Sequence, residues 1–191
     1  MNRFFRYGGI VASIILIAFG IGSIVVGLDG RNTVRSDLAR EQIVGTPDST
    51  IPNQLVNTGS EAQAFAAVMR KHTLEATDGQ TYAQMGRFLD SSGKPTNDEK
   101  LAATDPKTKA PVANPARNIW VTSTALTTAL NTAYFAESVA TFVMAIGFAL
   151  LLVGIGFLVL TLVALRRLEP ALPTVPDVIP AEMVERDRLP V

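Results

Sequence analysis

Residues 138–165, SVATFVMAIGFALLLVGIGFLVLTLVAL, decide the fold. No residue in this stretch carries a charge, and as a helix it extends about 42 Å at ~1.5 Å per residue. The hydrocarbon core of a bilayer is about 30 Å thick, so a helix of this length has to tilt or protrude. The stretch predicts a transmembrane helix.

A second uncharged block, residues 8–28 (GGIVASIILIAFGIGSIVVGL), is about 32 Å long as a helix, which also suffices to cross a bilayer. Arg3 and Arg6 precede it, so a cleaved signal peptide is the alternative reading. A signal h-region is about 7–15 residues long and ends at an A-x-A-like site. This block is longer and ends in Val25-Val26-Gly27-Leu28-Asp29, which favours an uncleaved signal anchor.

The composition excludes several classes of function. With 17 Lys and Arg against 17 Asp and Glu in 191 residues, the net charge is zero, and the basic face of a nucleic-acid-binding protein is missing. The chain contains no cysteine, which excludes disulfides, iron–sulfur clusters, thiolate zinc sites and cysteine nucleophiles. The length corresponds to about one domain.

Arginines at the chain ends predict the orientation of the two spans. They are Arg3 and Arg6 before the first span, Arg166 and Arg167 after the second, and Arg186 and Arg188 further along the tail. The outer flank of the first span is also basic (Arg31, Arg35, Arg40), whereas the second span has only Arg117 on its outer side, about 20 residues away. The positive-inside rule therefore predicts that both termini are cytoplasmic.

The predicted fold class is an all-α membrane protein: an antiparallel two-helix transmembrane hairpin in the plasma (inner) membrane, with a mainly helical extracytoplasmic domain. Its segments are a cytoplasmic N-terminus (1–7), the first span (8–28), the extracytoplasmic domain (29–137), the second span (138–165) and a cytoplasmic proline-rich tail (166–191). In the tail, Pro170, Pro173 and Pro176 favour polyproline II or disorder, either as a linker or as a docking segment for an aromatic-lined groove.

Both spans carry a seam of small residues at alternating steps of three and four, so that each seam lies on one helical face. The small seam residues are Gly9, Ser13, Gly20, Ser23 and Gly27 in the first span, where Leu16 completes the steps, and Ala140, Gly147, Gly154 and Thr161 in the second, where Met144, Leu151, Leu158 and Leu165 complete them. Small residues let helix backbones approach closely in lipid, so we expect Gly20 near Gly147, Leu16 near Leu151 and Ser13 near Gly154. Homodimerisation through one seam, or the general abundance of glycine in membrane helices, are the alternatives.

Neither span contains an ionisable residue, and two helices cannot enclose a pore. This argues against a channel, a transporter or a proton relay.

Between the spans the sequence predicts three helical segments. Asn32 or Thr33 can cap a short amphipathic helix that stops at Gly45, and Ser60 followed by Glu61 opens a second helix through about Thr77. Residues 79–113 are polar and turn-rich, without a long element. A third helix, from 116 to 166, is predicted to continue into the second span over about 75 Å.

Few residues in the loop suggest chemistry. His72 and Glu75 share a helical face, but a catalytic zinc or a non-haem iron triad needs at least three protein ligands, so we predict no cofactor and no metal. His72 is expected to be a solvated or capping residue, Trp120 a packing anchor, and Tyr134 and Phe135 part of an interfacial aromatic belt. The candidate partner or ligand surface comprises Trp120, His72 and Tyr82.

Four segments carry a resemblance to a known family: 29–35 (DGRNTVR), 41–48 (EQIVGTPD), 82–87 (YAQMGR) and 116–130 (ARNIWVTSTALTTAL). They resemble an uncharacterised family of actinobacterial membrane proteins with two spans, over nearly the whole chain except the tail. Some members are labelled aromatic ring-opening dioxygenases. The one histidine here cannot build the iron site that such chemistry requires, so the resemblance implies the topology and no activity.

Two function classes follow. The first is a non-enzymatic membrane protein, an accessory, scaffold or envelope-sensing subunit with another membrane or envelope protein, or a second copy, as partner. The alternative is a ligand-binding or enzymatic extracytoplasmic domain around Trp120 and His72.

Overall fold

The computed structural model describes residues 3–167, which form three helices and one small sheet. The elements are α1 (Arg3–Arg40), α2 (Gly59–Ala76), β1 (Phe88–Leu89), β2 (Pro95–Thr96) and α3 (Pro115–Arg167). The mostly helical character agrees with the prediction. Residues 168–191 of the predicted proline-rich tail, and the conformation predicted for them, lie outside the described residues.

Two of these helices, α1 and α3, are long and apolar enough to cross a membrane. Only 11% of the most apolar window in α1 and 6% of that in α3 is buried within the protein. A core helix of a water-soluble protein would bury most of such a window. The apolar faces of α1 and α3 are instead exposed: Phe19 is 67% exposed and Leu152 is 69% exposed.

The first helix is continuous through Arg40, so the predicted start of a separate helix at Asn32 or Thr33 is wrong. Single residues with modest helix propensity do not break a helix when tertiary contacts support it. Leu38 belongs to the buried core and Val34 packs against it, which supports this part of α1. The helix ends at Arg40, before the predicted stop at Gly45, and Gln42 has a positive φ of 53°.

A capping box starts α2. The Thr58 side chain accepts a hydrogen bond from the Glu61 N–H at 3.3 Å, and the Glu61 carboxylate accepts one from the Thr58 N–H at 2.9 Å. Together these bonds satisfy two of the amides left free at a helix start. The N-cap is therefore Thr58, two residues before the predicted start at Ser60.

The segment 79–113 contains no helix and only the two-residue strands β1 and β2, in line with the predicted absence of a long element. Turns within it are held by aspartates: Asp90 accepts hydrogen bonds from the N–H groups of Ser92 and Lys94. Met85, at 1% exposure, anchors the segment.

The third helix runs without interruption from Pro115 to Arg167, as the absence of proline and glycine up to residue 147 predicts. All three helices contribute to one hydrophobic core outside the apolar spans. It consists of Leu38, Val56, Ala62, Phe65, Ala66, Val68 and Leu130. The core positions α2 against the N-terminal half of α3.

Candidate functional site

The contact between α1 and α3 is built on glycine. A Cβ atom at position 20 would lie 2.7 Å from the backbone nitrogen of Leu151 and 2.8 Å from the carbonyl oxygen of Gly147. Real Cβ contacts are essentially never that short, so only glycine allows the two backbones to approach this closely. Gly27 has an equally tight position against the carbonyl oxygen of Ala140, at 2.8 Å.

The residue numbers of the contacting residues in α3 decrease as those in α1 increase, so the two helices run antiparallel at this contact. Gly9 lies against Thr161, and Gly154 lies against Leu16 and Ile17. Gly20 contacts both Gly147 and Leu151, and Leu16 lies beside Gly154.

The two serines of the first seam differ in environment. Ser13 is fully buried and its hydroxyl donates a hydrogen bond to the Gly9 carbonyl at 2.7 Å, so the polar group is satisfied within α1. Ser23 is half-buried and lines an open groove beside Gly22.

A buried carboxylate, Glu137, joins all three helices one residue before the second apolar span. Its Oε1 accepts hydrogen bonds from Nε of Arg31 at 3.1 Å and from Nε of Arg35 at 2.7 Å. Its Oε2 accepts a hydrogen bond from the Gly59 N–H at the start of α2. Glu137 is 8% exposed, and both of its oxygens are used. We call Glu137 with Arg31, Arg35 and Gly59 the Glu137 cluster.

Opposing effects act on the pKa of Glu137. Burial alone would raise the pKa, but the hydrogen bonds from Gly59, Arg35 and Arg31 outweigh burial, and the pKa lies below its ordinary value of 4.5. Glu137 is therefore ionised at neutral pH. The arginine partners of Glu137 lie about 100 positions away in the chain, so the sequence around Glu137 does not reveal its ion pairs.

A second ion-pair group lies on the exposed side of α2. Oδ2 of Asp48 lies 2.9 Å from Nζ of Lys71 and 3.0 Å from Nε2 of His72. The hydrogen bonds from Lys71, His72 and Thr46 hold the pKa of Asp48 far below its ordinary value, and the same contact with Asp48 raises the pKa of Lys71. This group fastens the loop between α1 and α2 onto α2, and it gives His72 a partner that the sequence did not reveal.

The three residues predicted as a common partner or ligand surface lie in different surroundings. His72 lines an open groove of about 540 Å³ between α2 and α3, together with Met69, Ile119 and Leu126. Trp120 is half-buried under the guanidinium of Arg70, 5.5 Å from the ring centre. Tyr82 lies 3.8 Å below the guanidinium of Arg117. Neither Trp120 nor Tyr82 lines the groove that contains His72.

Within residues 3–167 no group of three or more His, Asp or Glu side chains is placed to hold a metal ion. The charge contacts of Glu137 join helices to one another, and those of Asp48 join a loop to α2. The Glu137 cluster holds α1, α2 and α3 together at one end of the apolar spans.

No family model matches the chain, and no curated protein or solved structure is significantly similar to it. The resemblance to the actinobacterial family therefore stays a prediction.

Proposed function

We propose that the chain is a non-enzymatic integral membrane protein that acts as an accessory, scaffold or envelope-sensing subunit of a membrane assembly. In this proposal α1 and α3 cross the plasma membrane as an antiparallel hairpin, both termini are cytoplasmic, and residues 29–137 form the extracytoplasmic domain. A partner protein of the membrane or envelope, or a second copy, completes the assembly.

The exposed apolar surface of α1 and α3 is the observation that carries the proposal. Within the two spans, large side chains such as Phe19, Phe142 and Leu160 are at least 64% exposed. Exposure of so many apolar side chains to water is energetically unfavourable, whereas contact of the same side chains with lipid chains is not. The Glu137 cluster also supports membrane insertion of the two apolar spans, because its charged groups lie at the end of the spans and not inside them.

The roles of the charged groups support a non-enzymatic function. Glu137 and Asp48 have strongly perturbed environments, which often marks catalytic residues. Here the Glu137 carboxylate accepts hydrogen bonds that join α1, α2 and α3, and the Asp48 carboxylate pairs with α2 and fastens the loop before it. In this proposal the two carboxylates stabilise the folded protein, and Glu137 holds the domain between the spans against the hairpin.

A disulfide tests the antiparallel packing directly. A Cβ atom at Gly30 would lie 3.8 Å from Cβ of Ala140, which is a favourable Cβ separation for a disulfide. The double variant Gly30→Cys/Ala140→Cys in this cysteine-free chain should form an intramolecular disulfide in native membranes. A matched pair, Gly22→Cys/Gly156→Cys, should not, because neither glycine has a neighbour within 4 Å. Equal crosslinking of both pairs would contradict the packing.

Membrane insertion and orientation need a separate measurement. We expect the chain to stay with membranes after alkaline extraction, and a membrane-impermeant maleimide to label Ser91→Cys in intact cells while Asn2→Cys is labelled only after lysis. The reverse labelling pattern would refute the orientation, and release into the alkaline supernatant would refute membrane insertion.

A further inference from the structure

Arg31 and Arg35 lie one helical turn apart on α1 and use only part of their hydrogen-bonding capacity. Each donates through its Nε atom to the same oxygen of Glu137, at 3.1 Å and 2.7 Å. A guanidinium also has two Nη atoms, which carry most of its N–H donors. Within residues 3–167 these Nη atoms make no hydrogen bond, and the two side chains are 37% and 38% exposed. The Nη donors are therefore accessible to an acceptor from outside the chain.

The charges of the Glu137 cluster do not cancel, because two guanidinium groups face one carboxylate. Two acids of α1, Asp29 and Asp37, each lie two positions from one of these arginines and therefore on a different side of the helix. Asp37 instead pairs with Arg40 at 2.9 Å. The Glu61 carboxylate at the start of α2 belongs to the capping box. The cluster therefore keeps an excess of positive charge.

The height of the two arginines matches the headgroup layer of the proposed bilayer. Arg31 lies about 4.5 Å and Arg35 about 10.5 Å beyond Leu28, the end of the first span, at ~1.5 Å per residue. The polar layer on each side of the hydrocarbon core is about 5–8 Å thick. The Cα–Cβ bonds of a helix tilt toward its N-terminus, which in α1 is the direction of the span. Both side chains therefore start close to the layer that contains the lipid phosphates.

We propose that Arg31 and Arg35 together bind the phosphate group of an anionic phospholipid. The inference rests on the proposed membrane insertion, which places the cluster beside the headgroups. Guanidinium groups bind phosphate oxygens through pairs of N–H donors. Glu137 already holds both arginines through Nε, so binding immobilises them at a smaller entropic cost. Inorganic phosphate has the same chemistry, but a lipid of the surrounding membrane presents its phosphate at a much higher local concentration.

The test measures which lipids stay bound to the full chain. The protein in detergent is mixed with equal amounts of phosphatidylglycerol and phosphatidylcholine of the same acyl chains, and native mass spectrometry counts each bound lipid. We expect wild type to retain phosphatidylglycerol in preference. Arg31→Gln/Arg35→Gln/Glu137→Gln removes both guanidinium groups without leaving a buried carboxylate unpaired. It should lower the ratio of bound phosphatidylglycerol to phosphatidylcholine about fivefold, the attraction expected of one surface charge.

Glu137→Gln gives a second test with the opposite sign. It removes the carboxylate that competes with the phosphate for the two arginines, so the ratio should rise above that of wild type. A cluster that only supports the fold would not produce such a rise, because this substitution weakens the helix contacts. Arg40→Gln is the control: it also removes a positive charge from α1, but Arg40 pairs with Asp37 and lies about 18 Å beyond Leu28. It should leave the ratio unchanged.

Four results would overturn the proposal. They are equal retention of both lipids by wild type, a triple variant with the wild-type ratio, a Glu137→Gln variant whose ratio does not rise, and complete displacement of phosphatidylglycerol by millimolar inorganic phosphate. The last result would identify free phosphate as the ligand. Each of these refutes the lipid site alone if the chain stays with membranes in alkaline extraction. Release of the chain in that extraction refutes membrane insertion and the lipid site with it.

Discussion

The two helix contacts of this protein follow different physical rules. Where α1 meets α3 in the apolar spans, Gly20 and Gly27 bring backbone against backbone. Where α2 meets α3 outside the spans, Gly59 also lies against the Tyr134 backbone, but the contact is extended by buried side chains: Phe65 and Leu130 in the core, and a hydrogen bond between the hydroxyls of Thr73 and Ser123. In the proposed membrane arrangement, lipid provides no hydrophobic driving force for the α1–α3 contact, so the close fit of the two backbones has to stabilise it, whereas the hydrophobic effect in water stabilises the α2–α3 contact.

The largest effect is expected from the water-facing contact. Phe65→Ala removes a side chain that is 8% exposed and leaves a cavity, and such changes cost about 3–5 kcal/mol. We expect a lower free energy of unfolding for the domain between the apolar spans, measured by denaturant titration in detergent, while the Gly30→Cys/Ala140→Cys disulfide still forms. Leu101→Ala, at a site 63% exposed, is the control. A loss no larger than that of Leu101→Ala would remove the proposed contrast.

A substitution in the contact between α1 and α3 should weaken the helix packing in the spans and leave the hydrophobic core around Phe65 intact. Gly20→Ile places a branched side chain against the Leu151 and Gly147 backbones, and overpacking of this kind costs about 1–3 kcal/mol. The Gly30→Cys/Ala140→Cys disulfide should form less readily, and the core around Phe65 should stay protected from hydrogen exchange. Gly22→Ile is the control, because position 22 has free space. Unchanged disulfide yield in Gly20→Ile would show that the glycine contact does not determine the packing.

Glu137 belongs to both contacts, so its substitution should weaken both. Glu137→Gln leaves the arginines without their charge partner, at a cost of about 1–3 kcal/mol. The lower end is expected, because the Arg31 and Arg35 side chains are 37% and 38% exposed. Asp29→Asn, which removes an exposed charge from the same part of α1, is the control.

The pH dependence of stability distinguishes the ion pair from a general packing defect. Because the pKa of Glu137 is lowered in the folded protein, its stabilisation is fully present above pH 4.5 and is lost as the pH falls through the lowered pKa. Glu137→Gln should lack this component in unfolding measured against pH. An identical acid profile for both proteins would contradict the role of the cluster.

The smallest effect is expected at Asp48, whose partners Lys71 and His72 are exposed to solvent. Asp48→Asn should loosen the loop between α1 and α2 without changing the helix contacts, which faster hydrogen exchange in residues 43–57 would report. The stabilisation is screened, so it should decrease in high salt. Glu75→Gln, which removes the more distant partner of Lys71, should leave the loop unchanged. Equal exchange in both variants would refute the fastening role of Asp48.

Much of the helical framework could be predicted from local sequence. The uncharged stretches 8–28 and 138–165 are long enough to cross a bilayer, and the absence of proline and glycine between residues 116 and 146 predicts the continuous α3. The errors lie at helix boundaries. Thr58 and Ser60 are both good caps, and only the reciprocal bonds with Glu61 select Thr58. A break at Asn32 or Thr33 was wrong because tertiary contacts of Val34 and Leu38 outweigh local preference.

The candidate site was much harder to predict, because its residues are distant in the chain. Nothing in one sequence connects Glu137 to Arg31 and Arg35, or Asp48 to His72. One signal was available: Glu137 is the acidic residue directly before the second span, on the same stripe as Leu130, and a helix stripe that faces a core predicts burial. A buried acid requires a basic partner, and three arginines follow the first span.

The length of α3 has a mechanical consequence. Its 53 residues form a rod of about 80 Å, and the part from 116 to 146 contains neither proline nor glycine, so it offers no joint. In the proposed membrane arrangement the bilayer holds the C-terminal half of α3, and a stiff rod held there behaves as a lever: when a force pushes the N-terminal end sideways, the C-terminal end moves the other way. Spin labels at Thr124 and Ala164 would register such a swing as correlated displacements at the two ends.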